Sequence, residues 1–354
     1  MRFGLFNLMG YRDNPSGVSG VIEDTRSMVS LAEDIGFDVA WFAEHHFTNY
    51  SISVSPLMVA AHMAGQTSRI KLGAAVVVLP LYDPMRVAQE IALLDQLSGG
   101  RAVLGVGTGY QAYEFERYGQ DVTLKNEVFL EYWQVLSQVL AEGHVAFQGK
   151  HISVPSTPIT LRTVSGQMPP LYCTSSAPDI LAALAPWNPT PFMTAGWRGT
   201  PVLLKMVEQM RDNCRLAGLD TAKVPVALQQ YVHVTDSPSE ALEAAERARY
   251  VGRMVSALRS PNLTLHGSMV QAPPLADEPG LETFRDNLII GPAAYVAERI
   301  AEEIRAVNPI HYNAFFQFGD LPIDRARRSL ERFGAHVLPL LEKEFGSLEA
   351  IGKR

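Results

Sequence analysis

The feature that most constrains the fold of this chain is a regular alternation of short apolar runs with longer amphipathic segments. Runs rich in β-branched and aromatic residues predict strands, and apolar residues spaced near 3.6 predict helices. The predicted strands cover residues 2–8, 38–42, 70–79, 102–107, 170–174, 190–194, 225–234 and 311–317. The predicted helices cover residues 19–36, 55–66, 84–98, 123–142, 177–185, 201–217, 238–257, 292–306 and 323–345. This alternation predicts an α/β fold of the TIM (β/α)8 barrel type, with a doubly wound parallel sheet as the alternative.

The chain shows no sign of a division into domains. A barrel of this type takes roughly 200 to more than 400 residues, and this chain has 354. No linker rich in Pro, Gly or Ser interrupts the alternation, and no internal repeat is visible. We therefore predict a single domain over residues 1–354.

Two stretches depart from the alternation. Residues 144–169 contain a predicted small hairpin, and residues 258–290 are irregular and rich in proline and glycine. A long irregular insertion in a compact barrel is usually functional or disordered, and barrel active sites lie at the C-terminal mouth. We predict that 258–290 is an insertion over this mouth and a candidate mobile lid. A surface excursion without a function is the alternative.

Composition and charge exclude several classes of function. A net charge of −7 with scattered Lys and Arg argues against a nucleic-acid partner, which needs clustered cations. Two cysteines, Cys173 and Cys214, are too few for a disulfide framework and indicate a reducing compartment. No signal peptide is visible, and no apolar run reaches the ~18–20 residues of a membrane-spanning helix. We expect a soluble, cytoplasmic protein without a membrane partner.

Three ionisable side chains, Glu44, His45 and His46, follow the strand predicted over 38–42. Catalytic groups of a barrel lie at the C-terminal ends of strands, and neighbouring side chains of an extended chain point to opposite sides. We therefore expect one histidine to face the mouth, where a neutral imidazole can act as a general base or bind an anionic intermediate. A metal site is disfavoured, because adjacent histidines do not easily chelate one ion. Structural hydrogen bonding of both histidines is the remaining interpretation.

Small residues mark the next two predicted strands. Residues 72–76 read Leu-Gly-Ala-Ala-Val, and small side chains allow a flat ligand or another strand to approach closely. Residues 105–109 read Gly-Val-Gly-Thr-Gly, without the spacing or the acidic residue of a dinucleotide-binding turn. Taken alone, both segments fit strand packing and an ordinary turn as well as a ligand site.

Together, in their order and spacing, these segments resemble the bacterial luciferase-like flavin-dependent monooxygenase family. The resemblance covers essentially the whole chain. The segments that carry it are Glu44-His45-His46-Phe47, residues 72–80 with Asp83-Pro84, 94–101, 105–115, 170–177, Gly291-Pro292 and 315–319.

The resemblance implies a TIM barrel that binds reduced FMN, supplied by a separate flavin reductase, and reacts it with O2. It implies a flavin C4a-hydroperoxide that inserts one oxygen atom into a small organic substrate, while the protein holds the flavin ring and excludes water. Members of the family are often dimers, so we expect a homodimer. Two alternatives stay open on the same fold, a non-catalytic luciferase-like subunit and a deazaflavin-dependent oxidoreductase that transfers hydride without oxygen.

The resemblance also assigns roles to residues. His45 matches the family's catalytic histidine, and Glu44 beside it is the second candidate catalytic residue, although Glu44 and His46 are expected mainly to fix the loop geometry. The family has a non-proline cis peptide against the flavin ring, and we place it at Ala74-Ala75. The cofactor-binding residues expected by position are Ala74, Ala75, Thr108, Gly109, Tyr110, Thr174, Ser175 and Ser176.

Thr108 departs from the family pattern, which commonly has arginine there. Loss of a guanidinium removes a charge-assisted partner for a dianionic phosphate, and we expect Arg198, after the sixth strand, to compensate. Aromatic residues at strand ends indicate an apolar or aromatic substrate. The expected lining of its pocket is Phe6, Tyr110, Phe192, Trp197 and the 258–290 segment.

Overall fold

Short parallel strands build a closed barrel in the computed structural model, which describes residues 1–260 and 262–352. Pro261, within the predicted insertion, lies outside the described residues. In chain order the strands are β1 (Arg2–Asn7), β2 (Val39–Phe42), β3 (Lys71–Ala74), β4 (Val77–Val78), β5 (Ala102–Gly107), β6 (His144–Gln148), β7 (Ser153–Pro158), β8 (Leu171–Cys173), β9 (Thr190–Met193), β10 (Ala227–Val234), β11 (Leu265–His266), β12 (Met269–Val270), β13 (Ile289–Gly291) and β14 (His311–Phe315).

The barrel closes on itself. Its strand order is β1-β2-β3-β5-β8-β9-β10-β14, and closure follows because β14 pairs with β1 and β9 pairs with β10. All of these pairings are parallel, and β4 continues the third barrel strand beside β5. The predicted TIM barrel is confirmed, because a doubly wound sheet would be open at its edges.

Helices follow the barrel strands and pack around them. They are α1 (Gly17–Ile35), α2 (Pro56–Ala64), α3 (Pro84–Ser98), α4 (Ala112–Arg117), α5 (Lys125–Glu142), α6 (Pro178–Leu184), α7 (Thr200–Leu216), α8 (Pro238–Arg259), α9 (Leu281–Asn287), α10 (Ala293–Val307), α11 (Ile323–Arg332) and α12 (Leu338–Phe345). The helix predicted over 323–345 is divided into α11 and α12 by a π-helical turn, Phe333–Val337. Within the described residues, every helix is too short or too polar to cross a membrane.

Local sequence signals set the helix ends. Asp83 caps α3 by accepting a hydrogen bond from the N–H of Arg86 at 2.9 Å, and Pro84 occupies the first turn. Gly36 ends α1 with φ 95°, in the left-handed region that favours glycine. These side chains and conformations satisfy backbone groups that have no partner inside a helix.

Aromatic side chains fill the floor of the barrel. The Trp41 ring is fully buried, with its centroid 4.7 Å from that of Tyr172 and 5.4 Å from that of Phe192. Gly73 makes room for it, because a Cβ there would lie 2.4 Å from the indole. This glycine therefore serves packing, and Phe192, expected in the substrate pocket, belongs to the filled floor. The C-terminal mouth is left as the place for a ligand.

The third barrel strand is interrupted, which corrects the strand predicted over 70–79. β3 ends at Ala74 and β4 begins at Val77, and the peptide bond between Ala75 and Val76 is cis. The cis bond therefore lies one residue later than the expected Ala74-Ala75 position. Ala74 packs into the main core with the helices, whereas Ala75 contacts the side chains that fill the barrel.

The 258–290 segment is more regular than its prolines suggested. It contains the β11–β12 hairpin, α9 and the first residues of β13, which pairs with β10. The N–H of Asn49 donates to the carbonyl of Ser268 at 3.0 Å, and the N–H of Val270 donates to Asn49 Oδ1 at 2.8 Å. Because Asn49 lies in the loop after β2, the hairpin lies over the C-terminal mouth, as predicted. Its mobility as a lid stays a prediction.

Candidate active site

Glu44 ties the loop after β2 to the third barrel strand. Its carboxylate is buried and accepts hydrogen bonds from the N–H of Val78 at 3.1 Å and from the hydroxyl of Tyr82 at 2.9 Å. Burial raises the pKa of Glu44, and the hydrogen bond with His46 and those from Val78 and Tyr82 partly oppose that rise. The bonds with His46, Val78 and Tyr82 hold Glu44 and its loop in place, and a catalytic role for Glu44 stays a prediction.

His46 has both ring nitrogens engaged. Its Nε2 lies 3.0 Å from Glu44 Oε1, and its Nδ1 lies 2.9 Å from the hydroxyl of Tyr118. A carboxylate accepts and a phenol donates, so the proton of the neutral ring belongs on Nε2. The residue is buried, and it has no nitrogen left for a substrate or a metal.

His45 differs from its neighbour in having one unengaged nitrogen. Its Nδ1 lies 3.1 Å from Glu114 Oε1 and 2.8 Å from Gln111 Nε2. Its ring centroid lies 4.6 Å from that of Tyr50 and 5.9 Å from that of Tyr110, with 13% of the side chain exposed. Within the described residues Nε2 has no hydrogen-bond partner. This nitrogen is available for acid–base chemistry at the mouth.

The partners of His45 on α4 were missed from the sequence. Gln111 and Glu114 are fully buried, and the helix that begins between them has six residues. Six residues are too few for an apolar period to show, so α4 was not predicted. A signal was present, because residues three apart on a helix share a face, and two such polar groups follow the glycine-rich turn.

Small residues bring three neighbouring strands close together at the mouth. A Cβ on Gly105 would lie 2.2 Å from the carbonyl oxygen of Ala74, and one on Gly107 would lie 2.6 Å from Val76 and 2.8 Å from Thr174 Oγ1. The glycines therefore serve strand packing. Ala75 and Val76 stay partly exposed, and side chains of this size allow a flat ring to approach the strand.

A lysine that was not predicted from the sequence contacts the glycine-rich turn. Lys125, at the start of α5, donates from Nζ to the carbonyl oxygen of Gly109 at 2.8 Å. Burial lowers the pKa of this ammonium, and no carboxylate in residues 1–260 or 262–352 forms an ion pair with it. Thr108 beside it is buried. The ammonium therefore lies at the turn that contains Thr108, where the resemblance led us to expect arginine.

The remaining phosphate candidates lie on the two following barrel loops. Thr174, Ser175 and Ser176 leave the end of β8 with exposed or partly exposed side chains, and Ser175 Oγ accepts from the N–H of Ala177 at 3.4 Å. Arg198 is exposed and donates from Nε to the carbonyl of its own loop at 3.1 Å. Among the described residues, no hydrogen bond joins Arg198 to these three hydroxyls.

Two tyrosine rings, those of Tyr50 and Tyr110, lie beside His45, and Tyr231 packs nearby against Phe315. Burial raises the pKa values of Tyr50, Tyr110 and Tyr231, so these phenols stay protonated near neutral pH. The guanidinium of Arg259, at the end of α8, lies 5.0 Å from the centre of the Tyr110 ring. The site therefore combines apolar ring faces with hydroxyl donors around one histidine nitrogen. Tyr110, expected to bind the cofactor, lies beside His45.

The other expected lining residues are divided between two places. Phe6 is partly exposed and packs edge-on against Phe315 at 5.1 Å. Trp197 instead stacks on Phe284 of α9 at 5.3 Å, with the rings 16° from parallel. Trp197 therefore joins the loop after β9 to the 258–290 insertion.

Sequence comparisons identify relatives along the whole chain. A sequence model of the family described as luciferase-like monooxygenase matches residues 1–307. An uncharacterized protein of Sinorhizobium fredii, y4vJ, is 32% identical over 351 residues, which cover 99% of this chain and 100% of that protein. The oxygenase component of a flavin-dependent trigonelline monooxygenase from Acinetobacter baylyi is 24% identical and covers 96% of this chain and 95% of its own length.

Solved structures share the fold. Monooxygenase RslO1 from Streptomyces bottropensis has a TM-score of 0.80 at 19% identity, covering 96% of this chain and 99% of its own. The oxygenating constituent of 3,6-diketocamphane monooxygenase from Pseudomonas putida, in complex with FMN, has a TM-score of 0.71 at 19% identity, with coverages of 96% and 98%. An F420-dependent secondary alcohol dehydrogenase has a TM-score of 0.70 at 19% identity, with coverages of 96% and 98%. The family match spans most of the sequence and y4vJ is similar throughout, so this chain belongs to the luciferase-like monooxygenase family.

Proposed function

We propose that this protein is a flavin-dependent monooxygenase that uses reduced FMN and O2 to oxygenate a small apolar organic substrate. The observation that carries the proposal is the placement of His45. One ring nitrogen is held by Glu114 and Gln111, and the other has no partner in the described part of the chain, while the ring lies beside Tyr50 and Tyr110 at the barrel mouth. A relative named as an oxygenase component and a structural neighbour in complex with FMN support this cofactor.

The residues at the mouth fit a flavin. The small side chains of Ala75 and Val76 leave room for the ring beside the interrupted third strand. The hydroxyls of Thr174 and Ser176 and the ammonium of Lys125 supply donors for a phosphate. Reduced flavin, when bound, supplies the electrons that activate O2. We infer that these residues hold its two ends.

The protein's own part is acid–base catalysis and the exclusion of water. His45 Nε2 exchanges a proton with the reacting centre, since it is the histidine nitrogen of the Glu44-His45-His46 loop that bonds to none of the described residues. The surrounding tyrosine rings give an apolar lining, which favours an apolar or aromatic substrate and keeps bulk water out.

In this proposal the 258–290 insertion is the lid over the mouth, and the bidentate ion pair between Arg253 and Glu278 holds it to α8.

Oxygen consumption distinguishes the proposal from its alternatives. Purified protein with FMN, a flavin reductase and NADH is expected to consume O2 and form oxygenated product with aldehyde, ketone or aromatic test substrates. A deazaflavin-dependent oxidoreductase, the activity in the name of one neighbour, would reduce or oxidise its substrate without oxygen. A non-catalytic subunit would form no product with any of them. Either result would contradict the proposal.

Lys125→Ala is expected to weaken binding of reduced FMN by about 10–100-fold, the equivalent of ~1.5–3 kcal/mol for a hydrogen bond to a charged group. The reason is that Lys125 is the cation at the turn where Thr108 replaces the family's arginine. Anaerobic titration measures the dissociation constant. Riboflavin, which has no phosphate, is the matched ligand, and its affinity is expected to change little.

Arg198→Ala is the companion variant. Since Arg198 bonds within its own loop, we expect its removal to change FMN affinity less than twofold. If Arg198→Ala weakens FMN binding more than Lys125→Ala does, the compensation suggested by the sequence is right and the assignment to Lys125 is wrong.

We propose a homodimer that buries the outer faces of α2 and α3. These adjacent helices expose large apolar side chains, with Met58 72% and Leu97 59% accessible. The double variant Met58→Lys/Leu97→Lys is expected to sediment as a monomer at micromolar concentration, because each ammonium would be buried without a partner. Leu216→Lys, on α7 and 76% exposed in the native protein, is the control and should leave the dimer intact. A monomeric native protein would refute the assignment.

A separate flavin reductase is the expected protein partner, since the trigonelline relative is named as one component of its enzyme. We expect a cytoplasmic location. The two cysteines, Cys173 and Cys214, are free and buried, as is usual in a reducing compartment.

A further inference from the structure

We propose that Glu114 is a positioning residue that fixes the tautomer of His45. It keeps the ring proton on Nδ1 and so presents the lone pair of Nε2 to the mouth. The assignment of the tautomer depends only on the geometry around the ring. Its consequence for catalysis rests on the proposed function.

The two hydrogen-bonding neighbours of His45 Nδ1 require different protonation states of this nitrogen. Glu114 Oε1, at 3.1 Å, requires a proton on Nδ1, whereas the side-chain amide nitrogen of Gln111, at 2.8 Å, requires a lone pair there. A neutral ring can form only one of these two hydrogen bonds at Nδ1, because Nδ1 carries either a proton or a lone pair. The tautomer of His45 therefore depends on which neighbour prevails.

Glu114 Oε1 is already fixed as an acceptor. The main-chain N–H of His46 points at the same oxygen from 2.7 Å, and an N–H can only donate. The carboxyl group is fully buried, so it cannot exchange this role with water. A second main-chain bond, from the N–H of His45 to the carbonyl of Ser53 at 3.1 Å, holds the histidine backbone. An unprotonated Nδ1 would place two lone pairs against each other.

Gln111 can adapt where Glu114 cannot. Rotation of its terminal amide by a half turn exchanges the oxygen and the nitrogen without changing the shape of the side chain. In the present orientation Gln111 Oε1 is buried and has no partner among residues 1–260 and 262–352. After the rotation the amide nitrogen takes that place, so the number of unpaired amide atoms stays the same. The rotated Gln111 accepts from Nδ1–H as well. A proton on Nδ1 therefore satisfies both neighbours, whereas a lone pair on Nδ1 satisfies only the amide of Gln111.

The two adjacent histidines therefore carry opposite tautomers. His46 holds its proton on Nε2, between Glu44 and Tyr118. His45 holds its proton on Nδ1, toward Glu114. A base must present a lone pair to the proton it accepts. Among the residues that the structure describes, Nε2 of His45 is the one of the four ring nitrogens that presents a lone pair without a partner.

Nitrogen-15 NMR of histidine-labelled protein without cofactor tests the tautomer, with His45→Gln and His46→Gln used to assign the signals. The native protein is expected to show His45 mainly as Nδ1–H. Glu114→Leu removes the acceptor and leaves Gln111, so we expect mainly Nε2–H. Gln111→Leu is the matched control and should keep Nδ1–H. If Glu114→Leu fails to fold, Glu114→Gln replaces it, with an increased Nε2–H fraction expected.

Native His45 mainly as Nε2–H would overturn the proposal, and so would a switch caused by Gln111→Leu but not by Glu114→Leu. In turnover, Glu114→Leu is expected to lower kcat by about 100-fold or more, because a wrong tautomer disables a base, with flavin affinity unchanged. If His45 variants leave turnover intact while the NMR result holds, the proposed function fails and the positioning by Glu114 stands.

Discussion

Replacing His45 with glutamine is expected to lower substrate-saturated turnover by about 10²–10⁴-fold, the usual contribution of a positioned acid or base. Glutamine occupies similar space and can bond to Glu114, but it cannot exchange a proton near neutral pH. The flavin contacts proposed at Ala75, Thr174 and Lys125 lie on other loops, so the dissociation constant of reduced FMN should stay within about twofold of the native value. Product formation at saturating flavin measures the first quantity, and anaerobic titration the second.

His46→Gln is the matched control, since it changes the neighbouring residue of the same loop. Both nitrogens of His46 bond to protein groups, Glu44 and Tyr118. We expect a lower thermal midpoint and a loss of turnover smaller than tenfold. Equal losses of turnover in the two variants would mean that the loop geometry, rather than a proton carried by His45, supports the reaction.

The barrel could be predicted because its strands are buried on both faces. Such strands appear in the sequence as short apolar runs, and the helices between them have one apolar stripe. Residues 102–107 and 225–234 are of this kind, and β5 and β10 are buried along their whole length. The helix ends were predictable as well, because capping depends on residues within one turn. Asp83 and Pro84 marked the start of α3, and Gly36 marked the end of α1.

The interruption of the third strand could not be predicted in the same way. A straight strand and an interrupted one can have the same apolar sequence pattern, so residues 70–79 gave no sign of the break after Ala74. The short helix α4 and the pairing of β13 with β10 depend on contacts that form only in the closed barrel. The prolines in 258–290 indicated an irregular chain. The strand pairing within this segment was missed, because a β-ladder between residues distant in sequence leaves no local pattern.

The candidate site was predictable only in part, for a related reason. The Glu44-His45-His46 motif is local, and its position at a strand end placed it at the mouth. Glu114 is 69 residues from His45, and Lys125 is 16 residues from Gly109. Nothing in a single sequence says that a buried acid and a histidine meet, or that a lysine at the start of α5 bonds to the glycine-rich turn. Those relations follow from tertiary structure alone.

His311 is expected to make the protein lose stability in mild acid. The imidazole is fully buried at the start of β14, with Nδ1 3.1 Å from the hydroxyl of Tyr172. Burial lowers the pKa of His311 from 6.5 to about 4, outweighing the opposite effect of Asp38. The unfolded chain therefore binds more protons between these values, and the free energy of unfolding falls as the pH drops through this interval. The full interval corresponds to about 3 kcal/mol.

His311→Gln should remove this part of the pH dependence, whatever it does to stability at pH 7. Denaturant unfolding of both proteins at pH 6.5 and pH 5 measures it, and the native protein is expected to lose about 2 kcal/mol more than the variant. Other titrating groups are common to both proteins and cancel in the difference. His266→Gln, on the exposed side of the β11–β12 hairpin, controls for the loss of a histidine as such. If the native protein and His311→Gln lose stability in parallel, the buried imidazole takes up its proton without unfolding the barrel, and another group must account for acid sensitivity.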